Sequence, residues 1–361
     1  MVETIVLAAG GTGGHVFPAE SVAKALVHKG YKVIFITDKA GRKFDCLPAS
    51  VQVMVLPMHR RTNSIGGFIK FAWGMIKSMA AVYRGFKIIK PKVVVGFGGY
   101  PSFPAVAIAQ GMKITTVIHE QNAVLGQVNR ILSKRAHSVA VSFQQTERVG
   151  DNVQVVVTGD PVRDSFIAAR DTTYGVFSDN DPIRMLVTGG SQGASVFSRV
   201  VPEAVAALPE ALRQRLSILH QAPKHDVELL QQRYRQFVLN AVVVAFIHDM
   251  AQEMSGAHLV IARSGASTLA ELAMVGRPSL LVPFPHAKDN HQWVNAYTVE
   301  TVGAGWCVHQ SQLTAQTLSV QLELLFSRPE TLLEAADKMK KLGMPSATDN
   351  VVKLIEGALS R

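Results

Sequence analysis

Apolar residues in this chain gather in short unbroken runs rather than in polar–apolar alternation. Thr4–Ala9, Val93–Gly96, Ile183–Thr188 and Leu259–Ala262 are the clearest. A run of this length that stops at a glycine or polar turn predicts a buried strand. Helical spacing follows each run. Val16–Lys29 predicts a helix closed by Gly30, and Lys32–Thr37 predicts a second strand ending at Asp38. Further strands are expected at Thr115–Ile118, Val153–Val157 and Asn240–Val244, and terminal helices at Leu313–Phe326, Thr331–Lys341 and Val351–Leu359. Gly159-Asp160-Pro161-Val162-Arg163 reads as a hinge, after which the strand–glycine turn–helix plan restarts. The fold class is therefore α/β, two Rossmann-like domains facing a cleft.

The chemistry sits where strands end. Gly10-Gly11-Thr12-Gly13-Gly14-His15 follows the first strand, and such a loop lets a phosphate or sugar approach backbone that a Cβ would block. Val16 occupies the place of the third glycine of a dinucleotide fingerprint, which weakens a nicotinamide reading built on Asp38. His15 ends the loop, as a base near neutral pH or as a residue that only shapes the helix start. Phe97-Gly98-Gly99-Tyr100 and His119-Glu120-Gln121-Asn122 end two more strands. In the second half, Gly189-Gly190-Ser191-Gln192-Gly193-Ala194 opens a helix, and Ser191 suits either a phosphate or an N-cap. Ala262-Arg263-Ser264-Gly265 leads into Ala266–Glu271, where Arg263 and a helix N-terminus together favour an anion. Glu271, one turn in, can accept from two sugar hydroxyls or simply complement the helix dipole. Phe246 and the Ile247 backbone can meet a flat base, and the polar loop Pro283–Gln292 can line a sugar site.

Residues 58–92 combine Ile65, Phe68, Ile69, Trp73, Ile76 and other apolar residues with Lys70, Lys77 and Arg84 at sevenfold spacing, thickened by Arg60 and Arg61. This suits an anionic membrane surface, and also a core helix with a solvated basic face. The formal net charge of +10 adds to the case for anionic partners. Two cysteines, Cys46 and Cys307, imply a reducing compartment and no disulfide framework. No signal peptide is read at the start, and no run of 18 apolar residues is found that would span a bilayer, so the chain is expected in the cytoplasm. No metal is expected: Asp179-Asn180-Asp181 reads as a solvated turn before Pro182, and no His/Cys cluster has ligand spacing.

Taken in order, Gly10–Ala19, Gly98-Gly99-Tyr100, His119–Asn122, Pro161-Val162-Arg163, Gly189–Ala194 and Arg263–Ala266 resemble a family of bacterial peptidoglycan synthesis. It comprises the N-acetylglucosaminyltransferases that complete lipid II, in glycosyltransferase family 28. The resemblance implies a GT-B fold: an acceptor and membrane-docking domain at 1–162, a UDP-sugar domain at 163–342, and a last helix, about 343–361, packing back on the first. It implies UDP-N-acetylglucosamine as donor and lipid I as acceptor, with inversion at the anomeric carbon. It implies no cofactor, no nucleic acid, peripheral binding to the cytoplasmic face of the inner membrane, and other cell-wall synthesis proteins as partners. Carried over by position, Glu271 holds the ribose and Ile247 the uracil. Arg163, Ser191 and the helix start Ala266, Ser267, Thr268, Leu269 and Ala270 hold the diphosphate and nearby sugar atoms. Gln292 contacts the N-acetylglucosamine, Thr12, Gly13, Gly14 and Asn122 meet sugar or acceptor, and His15 is the base candidate. The chain departs from the family at Asp160, usually asparagine, at Gln221-Ala222-Pro223-Lys224, usually glycine-containing, and at His248, often acidic. A related transferase or UDP-sugar epimerase, a nicotinamide oxidoreductase and a basic nucleic-acid binder are the competing classes.

Overall fold

Each half of the chain builds one all-parallel sheet with helices on both faces, as buried apolar runs joined by helical crossovers require. The computed structural model describes residues 2–38, 47–58, 64–178, 180–190 and 193–360. The described residues form two units, Met1–Arg163 with Pro345–Arg361, and Asp164–Met344.

In the first unit the strands are β1 (Thr4–Ala8), β2 (Lys32–Asp38), β3 (Gln52–Leu56), β4 (Val93–Gly96), β5 (Thr115–Glu120), β6 (Ser138–Val141) and β7 (Val155–Val157). They lie in the order β3-β2-β1-β4-β5-β6-β7. In the second unit they are β8 (Ile183–Thr188), β9 (Leu216–Gln221), β10 (Ala241–Val244), β11 (Leu259–Ala262), β12 (Ser279–Leu281) and β13 (Gly305–Cys307), ordered β10-β9-β8-β11-β12-β13. The two orders repeat one pattern. In each, chain direction across the sheet reverses beside the first strand, between β1 and β4 and between β8 and β11. Ligands of open α/β sheets bind at that switch point, outside the carboxyl ends of the strands.

β1 shows how the layers are made. Ile5 and Leu7 pack with Val16, Ala19, Val22 and Leu26 of α1 (Gly13–His28) and with Val351, Val352 and Ile355 of the C-terminal helix Ala347–Leu359. Val6 and Ala8 point the other way, into a layer with Val82, Phe86, Ala105 and Val106. The C-terminal helix is pinned further by Lys29 Nζ to Glu356 at 2.8 Å and by Asn350 Nδ2 to the Thr158 carbonyl at 3.3 Å.

α2 (Ile65–Ile89) bears on the membrane expectation. It is long and apolar enough, by length and composition, to cross a membrane, although no unbroken apolar run announces it. The helix joins β3 to β4, and both are strands of one sheet. A single crossing would put those strands on opposite sides of a bilayer, so the topology excludes it. Only the stripe Gly74, Ser78, Val82 and Phe86 is buried. Val82 and Phe86 enter the core, while Ile65, Phe68, Ile69, Trp73, Ile76 and Ile88 are all more than half exposed. Arg60 and Arg61 lie outside the described residues.

Candidate active site

In the first unit, the loop after β1 runs directly into α1. Helical structure begins at Gly13, earlier than the apolar spacing predicted, so Gly13, Gly14 and His15 form its first turn behind the exposed Thr12. Asp38, at the end of β2, is buried and committed: Tyr100 Oη donates to it at 2.5 Å and the Gly11 amide at 3.4 Å. That bond ties two glycine loops together and takes the carboxylate that a nicotinamide ribose would need.

His15 lies half-buried against Gly98 and Gly99. A Cβ on either glycine would come within 3.3 Å of its ring, and both have positive φ, +86° and +73°. Only glycine meets both demands. His15 Nδ1 is 3.0 Å from Gln121 Oε1, and Gln121 Nε2 reaches the Phe97 carbonyl at 3.0 Å and His119 Nδ1 at 3.1 Å. His119 Nε2 is 3.1 Å from the Gly159 carbonyl. Complete burial lowers the His119 pKa to about 4, so the ring is neutral at physiological pH. Glu120 is buried beside it and accepts four hydrogen bonds, from Asn122 N and Nδ2 (3.1 Å each) and from Gly126 N and Asn129 Nδ2 (2.8 Å each). It thereby shapes the 121–126 loop and fixes Asn122. Arg163 closes this unit with its guanidinium 4.8 Å from the Phe17 ring, and Asp160 is buried a turn earlier.

In the second unit, the turn after β8 is built on Thr188, whose hydroxyl donates to Gln221 Oε1 at 2.7 Å and accepts from Gly190 N at 3.2 Å. Pro223, in the departing segment, packs on Gly193, where a Cβ would stand 2.5 Å from the Pro223 nitrogen. Ser191 lies outside the described residues. The helix Ala266–Val275 begins after β11 with Gly265 as a cap that has no side-chain bond. A helix without a side-chain cap leaves its first-turn N–H groups to other acceptors. Ala266 and Leu269 turn their side chains inward, so they can serve a ligand through backbone alone. Glu271 lies on this helix, 9% exposed. Ile247 is buried in the loop after β10, beside the exposed Phe246, which meets His248 edge-on at 5.2 Å.

Arg263 differs from expectation. Its guanidinium donates to the carbonyls of Val282 and Pro283 at 3.0 and 3.1 Å and to Gln310 Oε1 at 2.6 Å, and it lies near the rings of Phe197 and Phe284. It holds the loop after β12 with three of its five donors. Burial lowers its pKa to about 10, which leaves it charged at neutral pH. Gln292 clamps the same loop, accepting from Phe284 N at 2.9 Å, while Ser264 Oγ donates to the Gln292 carbonyl at 2.7 Å. Because every strand is parallel, the loops after β8, β10, β11 and β12 share one edge of their sheet.

Gln121 stands in the His119–Asn122 motif with no task that the sequence assigns to it, and Thr188, Asn129 and Gln310 carry no sequence signal. Polar residues at strand ends carry no periodicity, so only position after a buried run marks them.

Models of the glycosyltransferase family 28 N-terminal and C-terminal domains match residues 5–141 and 184–351. A protein of Rhodospirillum centenum is 41% identical over 98% of this chain and 94% of its own length. One of Rhodospirillum rubrum is 42% identical over 97% and 91%. Both are named UDP-N-acetylglucosamine–N-acetylmuramyl-(pentapeptide) pyrophosphoryl-undecaprenol N-acetylglucosamine transferase. Among solved structures, Acinetobacter baumannii MurG aligns with a TM-score of 0.80 at 32% identity, covering 98% of this chain and 99% of that one. A UDP-GlcNAc 2-epimerase of Neisseria meningitidis shares the fold alone, with a TM-score of 0.68 at 12% identity over 99% and 100% of the two chains.

Proposed function

Because this chain belongs to glycosyltransferase family 28, we propose that it transfers N-acetylglucosamine from UDP-N-acetylglucosamine to the muramyl 4-hydroxyl of lipid I, giving lipid II. The observation that carries this reading is identity near 40% to transferases of that name along almost the whole chain. The acceptor oxygen forms a bond to the anomeric carbon as the bond from that carbon to the diphosphate breaks, inverting the centre. The electron pair leaves with UDP and the hydroxyl proton passes to His15. A positioned base of this kind contributes typically 10²–10⁴-fold.

The second unit holds the donor. Glu271 takes the ribose hydroxyls, the Ile247 backbone the uracil edge, and Gln292 the N-acetylglucosamine. The amides of Ala266, Ser267, Thr268, Leu269 and Ala270, with Ser191, meet the diphosphate, whereas Arg163 ends the first unit. A helix N-terminus stabilises the charge that grows on departing UDP. Arg263 contributes by fixing the loop after β12. On the first unit, Thr12, Gly13, Gly14 and Asn122 meet the acceptor. The exposed apolar and basic face of α2 lies on the cytoplasmic surface of the inner membrane, where an undecaprenyl-linked acceptor resides, and other cell-wall synthesis proteins are its neighbours there.

Radiolabelled N-acetylglucosamine, UDP-linked, is followed onto a lipid I analogue while UDP release is measured in parallel. Lipid-dependent transfer with matching UDP release is expected. UDP release without transfer would replace this reading with a hydrolase or epimerase.

A further inference from the structure

The contacts around His15 set its chemistry as well as its place. The Gly159 carbonyl can only accept, so the proton of neutral His119 is on Nε2 and its Nδ1 carries a lone pair. That lone pair needs a donor, which puts the NH2 end of the Gln121 amide against it. The second hydrogen of the same nitrogen meets the Phe97 carbonyl, another atom that only accepts. Both constraints turn Gln121 Oε1 toward His15, 3.0 Å from Nδ1. An amide oxygen accepts, so His15 Nδ1 donates. In the neutral ring the lone pair is then on Nε2.

We infer that Gln121, oriented by His119 and by the carbonyls of Phe97 and Gly159, is a positioning residue that holds His15 in its Nδ1–H tautomer with Nε2 as the basic nitrogen. This rests on His15 being the base of the proposed transfer. The link is a fixed chain of donors and acceptors and passes no proton itself. When Nε2 takes the proton of the acceptor hydroxyl, the bond from Nδ1–H to Gln121 becomes charge-assisted and shortens. Glycine at 98 and 99 leaves the ring room to lie in this orientation. Gln121 itself is buried, at 1% exposed, so water does not compete for its amide.

The test joins 15N spectra of the histidine-labelled full chain with steady-state kinetics. His15 signals are assigned by their loss in His15→Ala. In the native chain, His15 should show a protonated Nδ1 and an unprotonated Nε2, a readout that needs no variant to fold. Gln121→Leu should lower kcat at least tenfold, leave KM for UDP-N-acetylglucosamine within twofold, and release His15 into a mixture of tautomers. A native His15 protonated on Nε2, or a Gln121→Leu variant with kcat within twofold of native, would overturn the inference. The base reading is judged separately by His15→Ala. A large fall in kcat there, beside an unaffected Gln121→Leu, removes the positioning role and keeps the base. An unchanged kcat in His15→Ala removes the base.

Discussion

At the scale of single residues, charge near a helix start is a poor guide to what a side chain binds. Arg263 and Glu271 flank the same corner, yet Arg263 spends its donors on two carbonyls and Gln310. A guanidinium has five donors in a fixed fork, and a strand end offers carbonyls at the right spacing to take them. Glu271 lies on the helix that begins after Gly265, 9% exposed, and its place there suits a ribose. Hydrogen bonds to a charged group are worth about 1.5–3 kcal/mol. Glu271→Ala should therefore weaken UDP binding by roughly 10- to 150-fold in calorimetric titration. UDP affinity equal to native in that variant would end the ribose assignment. Gln121 shows the opposite case: an uncharged residue with a single polar group can control a neighbour's protonation, because the Phe97 carbonyl only accepts and so fixes which end of the amide faces His15.

At the scale of elements, α2 is set apart by what its faces touch. Its buried stripe repeats every four residues and is narrow, because small Gly74 and Ser78 let the helix lie close to its neighbours. The remaining surface keeps aromatics and cations together: Lys77 Nζ is 5.2 Å from the Trp73 ring centroid and Lys87 Nζ 4.8 Å from that of Tyr83. Rings and ammonium groups side by side match the boundary between acyl chains and anionic headgroups. Each cation there contributes about 1 kcal/mol. Replacing Lys70, Lys77 and Arg84 together by glutamine should therefore weaken binding to vesicles containing anionic lipid by about 3 kcal/mol, with little effect on neutral vesicles. Equal binding of native and variant in a sedimentation assay would reduce the stripe to a solvated face. β3 was not foreseen because it is an edge strand with Val53 and Val55 exposed, so its pattern lacks the buried run that marks the central strands.

At the scale of the whole molecule, each unit buries a histidine in neutral form, and acid stability follows. Burial lowers the pKa of His119 in the first unit to about 4 and of His220 in the second to about 3. The unfolded chain binds these protons near 6.5, so below that pH it gains protons the fold refuses. The stability these groups confer is complete above pH 6.5 and is lost as pH falls from there toward their folded values. At pH 4.5 the loss from His220 alone is about 2–3 kcal/mol. Unfolding temperature should fall between pH 7 and 4.5, and His220→Leu, whatever it does to stability at pH 7, should show a shallower fall; an identical slope would exclude His220 as a source. The buried runs and the glycines after them were enough to read two α/β halves dividing near residue 160 and the glycine turns at the strand ends, because a parallel strand buried on both faces has to be apolar and a close-approach turn has to lack Cβ. Tertiary structure alone decided that Arg263 braces a loop, that Asp38 belongs to Tyr100, that α2 cannot cross a bilayer, and which nitrogen of His15 is left basic. Those outcomes depend on partners 20 to more than 100 residues away in sequence, and no local pattern records which distant carbonyl or ring a side chain will meet.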